Sequence, residues 1–77
     1  MSSPLSLFNA PVGKQLCVQR LGLAPNVCTR LREMGFCENT VVRCISRNGV
    51  CLICEVRNTR VGFNAALAED ILVSQLE

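Results

Sequence analysis

Apolar and polar positions alternate along this chain in short runs, and one stretch breaks into the spacing of a helix. Leu5-Ser6-Leu7 opens with alternation and meets the turn signal Pro11-Val12-Gly13. Gln15 to Leu21 reads as a strand with Leu16 and Val18 on one face, broken by Gly22. Pro25 suits the first turn of a helix, where a missing N–H costs nothing. Val27, Leu31 and Met34 then recur at helical spacing with Cys28 beside them, while Arg30, Arg32 and Glu33 point elsewhere. Gly35 is placed to take the left-handed conformation after the last turn, with Phe36 folding back onto the helix. A helix of roughly ten residues is too short to stand alone and must pack on a sheet.

Beyond the turn pair Asn39-Thr40, Val41 to Arg47 and Val50 to Arg57 read as two strands around Asn48-Gly49. That dipeptide favours a two-residue type I′ hairpin, which sets Val42 opposite Glu55 and mixes the faces. A three-residue loop, Arg47-Asn48-Gly49 with Gly49 as a left-handed bulge residue, sets Val42 against Cys54 and Cys44 against Leu52. This is the expected register, because a slip of one residue exchanges every face. Val56 continues the apolar side. The other face carries Arg43, Arg47, Glu55 and Arg57 with Ile45, Cys51 and Ile53. Asn58-Thr59 turns the chain into a strand from Arg60 to Phe63, Ala65 to Glu69 fits one helical turn, and Ile71-Leu72-Val73 closes as the last strand. About five short strands and one short helix describe a mainly β protein, a small barrel that closes to hide its edges.

Composition narrows the function. Seventy-seven residues make a single domain, its core over about residues 5–74, and a net charge of +2 does not by itself imply nucleic acid. With 49% hydrophobic residues and three aromatics the core is aliphatic. No apolar run approaches the roughly 18–20 residues that span a bilayer, and Met1-Ser2-Ser3-Pro4 lacks a secretion signal, so a cytoplasmic protein without membrane insertion is expected. No histidine, no phosphate-binding glycine loop and no convergent carboxylate pair supports catalysis. No tyrosine or tryptophan offers a stacking platform for nucleic acid.

Six cysteines remain to be explained. In a reducing compartment they stay thiols, and free cysteine is among the most buried residue types. Cys51-Leu52-Ile53-Cys54 looks like a metal or redox pair, but on a strand positions i and i+3 face opposite ways. Cys44 and Cys54, neighbours on the inward face, are the better candidate ligands for iron or zinc, with Glu55 or Glu38 as harder donors, in competition with simple core packing. On the outer hairpin face Arg43, Arg47 and Arg57 surround Ile45 and Ile53. An apolar centre with a basic rim is the anatomy of a protein contact.

The helix end Arg30-Leu31-Arg32-Glu33-Met34-Gly35-Phe36, the glycine-tipped hairpin, Val61-Gly62-Phe63, and the alanine-containing turn before Ile71-Leu72-Val73 together resemble the ferrous-iron-transport protein A (FeoA) family over about residues 5–74. Leu31, Met34, Gly35, Phe36 and Gly49 carry the structural part of that likeness. The family has glycine where this chain has Asn39, a residue that tolerates positive φ. The resemblance implies an SH3-like barrel and a cytosolic accessory role in ferrous iron uptake, with no required cofactor. It further implies docking on a membrane ferrous iron transporter through its cytosolic GTPase domain, with self-association as an additional partner reading. The alternatives are a thiolate iron or zinc sensor, or a regulator module like the C-terminal domain of metal-dependent repressors.

Overall fold

The computed structural model describes residues 4–76. Six strands form one antiparallel sheet in the order β1-β6-β2-β3-β4-β5, with β1 Leu5–Ser6, β2 Gln15–Leu21, β3 Val41–Arg47, β4 Cys51–Val56, β5 Thr59–Asn64 and β6 Ile71–Gln75. Helix α1 spans Pro25–Glu33, α2 spans Ala65–Ala68, and a 3₁₀ turn covers Leu7–Asn9. The mainly β architecture expected from the alternation is thus present. The opening Leu5-Ser6 supplies a sixth strand by pairing Leu5 with Val73 and Ser6 with Leu72.

β2 keeps Leu16 and Val18 fully inside, as the alternation requires, but a bulge at Gln19 shifts its pairing with β6 from Val18–Val73 to Arg20–Leu72. The extra residue returns Leu21 to the core three positions after Val18, where strict alternation would turn it outward. Gly22 follows because a Cβ there would lie 3.0 Å from the Asp70 carbonyl oxygen.

Helix α1 ends as its sequence predicts. Gly35 has φ +91°, its N–H donates to the Arg32 carbonyl, and the Phe36 N–H donates back to the Leu31 carbonyl at 2.9 Å. These two bonds define the Schellman arrangement, and they carry Phe36 into the core with no exposed surface. The buried stripe itself differs from the expectation. Cys28 and Leu31 are inside, Val27 is half-buried, and Met34 is 40% exposed. The helix is rotated toward Cys28, whose Sγ donates to the Leu21 and Leu23 carbonyls, and Phe36 takes the place at the helix end expected of Met34.

The β3–β4 hairpin corrects both registers considered from the sequence. Arg43 lies opposite Glu55 and Cys44 opposite Cys54, then a bulge at Ile45 sets Ser46 opposite Ile53 and Arg47 opposite Leu52. The loop is Asn48 to Val50, closed by Asn48, whose Oδ1 accepts from the N–H groups of Val50 and Cys51. Gly49 is not in the left-handed region, so the bulge falls inside β3 and not at the loop tip. The core set Val42, Cys44, Leu52, Cys54 and Val56 nevertheless survives intact and buried. A shift of two positions preserves faces, whereas a shift of one would not. The two-residue type I′ turn occurs instead between β4 and β5, where Arg57 (φ 52°) and Asn58 (φ 64°) are both left-handed and Val56 pairs with Thr59. Asn39, at φ 67°, takes the positive-φ position expected of it.

Candidate functional site

Outside the core, two adjoining surfaces combine apolar and basic groups. The first is the outer face of β3 and β4. Arg43 and Glu55 are cross-strand partners and form a 2.7 Å ion pair. Ile53 is 38% exposed beside them, and Val41 is 46% exposed at the start of β3. Arg57 overhangs the same face from the turn; Gln15, Val41, Arg43, Glu55 and Asn58 share its shallow cleft of about 220 Å³. Ile45 falls in the bulge without a ladder partner, and Ile53 stands opposite Ser46.

The same bulge removes Arg47 from this face. With one residue inserted at Ile45, Arg47 stands opposite the buried Leu52, and its guanidinium donates to the Phe8 and Ala10 carbonyls. Arg47 is therefore a strap on the 3₁₀ turn. The sequence gives no local sign of this bulge, because alternation alone places Arg43, Ile45 and Arg47 together.

The cysteines are free thiols. Cys51 is exposed and Cys54 buried, so the i, i+3 pair splits across the strand as alternation requires. Cys44 and Cys54 face each other in the core with no exposed surface. Burial, reinforced by the neighbouring Cys44, pushes the Cys54 thiol up to about 12, and burial also raises Cys44. Glu55 is engaged by Arg43, and Glu38 accepts a two-pronged contact from Arg32 that holds its carboxyl below the ordinary range. Among the described residues no cluster of three or more His, Cys, Asp or Glu side chains could hold an ion. Closed thiolate zinc sites use four ligands, so this pair on its own offers two.

The second surface is a groove of about 340 Å³ between α1 and β5, which the sequence reading did not anticipate. Val27, Leu31 and Met34 line one wall and Phe63 and Leu67 the other, with Arg30 at the margin. Phe63 is held by an edge-to-face contact with Phe36, centroids 5.7 Å apart. No signal in the sequence marks this groove, because helical spacing assigns Met34 to the core and only the return of Phe36 leaves Met34 exposed.

The FeoA domain model matches residues 5–75. The chain belongs to the FeoA family. This FeoA-family protein shares the fold of an iron uptake regulatory protein (FeoA) at TM-score 0.86, with 19% identity over 96% of this chain and 100% of that one. The Stenotrophomonas maltophilia FeoA, solved with zinc and described as an SH3-domain protein and candidate activating factor for ferrous iron transport, is 27% identical over 95% of this chain and 96% of that one, at TM-score 0.78. A manganese-dependent transcriptional repressor also contains the fold, at TM-score 0.86 and 16% identity, over 99% of this chain and 44% of the repressor. Among curated protein sequences none matches it. The fold is thus SH3-like, and the family is associated with ferrous iron transport and generally non-catalytic. Among the described residues no helix is long and apolar enough to cross a membrane.

Proposed function

We propose that this FeoA-family protein is a binding module that docks on the cytosolic, GTPase-bearing part of a membrane ferrous iron transporter and modulates its gating, GTP use or assembly. The observation behind it is the outer β3–β4 face, where Ile53 and Val41 stay exposed among Arg43 and Arg57 while Val42, Cys44, Leu52, Cys54 and Val56 on the opposite face are buried in the core. Arg57 adds weight. An arginine held at φ 52° occupies a conformation that costs roughly 1–2 kcal/mol, and such positions cluster where function asks for them. An NMR titration of the ¹⁵N-labelled, reduced protein with the transporter's cytosolic region tests the reading. Shifts centred on Arg43, Ile45, Ile53 and Arg57 are expected; a spectrum unchanged at saturating concentration would remove it.

A second proposal is iron or zinc at Cys44 and Cys54, favoured by the zinc complex of the S. maltophilia relative. It requires deprotonation of two buried thiols and further ligands from outside this set. Metal stoichiometry that falls on Cys44→Ser or Cys54→Ser would support it. The regulator-module alternative, suggested by the repressor fold, predicts binding to a DNA-binding protein in place of the transporter.

A further inference from the structure

Strand β5 is an open edge of the sheet: it pairs with β4 and, among the described residues, with no other strand. Its ladder runs without a bulge from Val56–Thr59 to Cys51–Asn64. In a two-residue hairpin the closing residues exchange both hydrogen bonds, so Thr59, Val61 and Phe63 direct their backbone groups at β4. Alternation then leaves the N–H and C=O of Arg60 and Gly62 directed away from the sheet. Edges of this length are usually blunted by proline, charged side chains or a bulge. β5, Thr-Arg-Val-Gly-Phe-Asn, has neither proline nor bulge, its one charge is Arg60, and Gly62 has no side chain to obstruct an approaching backbone.

Both sides of that edge are prepared. Inward lies the groove against α1, its volume near the lower end of the range of about 300–1,000 Å³ seen for ligand pockets. Val27, Leu31, Met34, Phe63 and Leu67 line it together with Asn26 and Asn64, Arg30 is its one charged lining residue, and no aspartate or glutamate borders it. Arg30 makes no ion pair among the described residues. Outward, Ile53 lies against Gly62, its Cγ1 3.9 Å from where a Cβ would stand, so a further strand would extend the docking face directly.

We infer that β5 receives an extended acidic segment of the docking partner as an added strand. Its backbone bonds to Arg60 and Gly62, its inward side chains fill the α1–β5 groove, and a carboxylate meets Arg30. The inference rests on the docking reading and supplies its mode of recognition. Extended backbone is the occupant because the unpaired groups are backbone donors and acceptors at strand spacing; acidity follows from Arg30, the one charged residue lining the groove, with no carboxylate bordering it.

Amide hydrogen exchange of the full chain, with the transporter's cytosolic region as the probe, tests it. Exchange at Arg60 and Gly62 should slow by about tenfold or more at saturation, because their N–H groups acquire partners. Gly62→Pro removes the outward N–H without touching the β4 ladder and should weaken binding about tenfold, as should Leu67→Glu in the groove. If Gly62→Pro fails to fold, exchange in the unaltered protein still decides. Saturable binding with unchanged exchange at Arg60 and Gly62 overturns strand addition and leaves docking standing. No binding removes the docking reading and this inference with it. Protection that appears without the probe and grows with protein concentration would give the edge to a second copy, and overturns the inference as well.

Discussion

Gly35 shows how one residue can be decided by backbone geometry alone. At φ +91° it needs no side chain, and a Cβ there would meet Arg57 Cδ at an unstrained 3.6 Å. Space is therefore available and the constraint is conformational. Gly35→Val should destabilise by roughly 1–3 kcal/mol in denaturant melts, and Gly35→Asn should cost visibly less, because asparagine tolerates positive φ. Equal costs for the two would place the penalty in packing. Arg57 reverses the logic: it sits left-handed where glycine or asparagine would be easier, and its stem lies over Gly35. The need for a left-handed residue was legible at Gly35 from local signals and at Asn39 from the family likeness. It was not legible at Arg57, because no property of arginine announces such a conformation.

Among the elements, α1 and the β3–β4 hairpin were recognisable as types, and their orientation was not. Val27, Leu31 and Met34 define a helical face, yet the helix settles on Cys28 and Leu31 because Phe36 returns to the core behind it. Leu31→Ala should cost about 2–5 kcal/mol in denaturant melts, as expected for a 3% exposed leucine. Met34→Ala should cost under about 1 kcal/mol on the same assay, and comparable losses would restore the original stripe. In the hairpin the core residues were readable from alternation, but the bulge at Ile45 was not, and it alone transfers Arg47 from the docking face to the N-terminal segment. Arg47→Met should lower stability by about 1–2 kcal/mol and accelerate amide exchange at Ala10, whose N–H closes the 3₁₀ turn. An unchanged exchange rate there would show that the strap carries nothing.

Taken whole, the molecule is small enough that a few titrating groups move its stability. An unfolded thiol loses its proton near ~8.5, while folded Cys54 keeps its proton until about 12. Between those values the folded state binds more protons, so stability must fall as pH rises, by up to about 1.4 kcal/mol per unit, and is fully present below the window. Melts under reducing conditions from pH 8 upward should show that decline, and Cys54→Ala should make it shallower, with Cys44, also raised by burial, keeping a part; an equal slope in the variant would assign it elsewhere. The open β5 edge and the α1 groove beside it also belong to this scale, since they arise from elements brought together by the sheet order. By itself the sequence determined the five longer strands, the helix α1, the core residues of the β3–β4 hairpin and the Gly35 stop, and it carried the family likeness. The elements, the core residues and the stop follow from periodicity or φ preference within a few residues of chain, whereas the likeness rests on motifs spread along it. The tertiary structure alone decided the hairpin register, the turning of Arg47, the exposure of Met34 and the free edge at β5. Those depend on which residues from distant elements compete for the same space, and a bulge of one residue is enough to change the outcome.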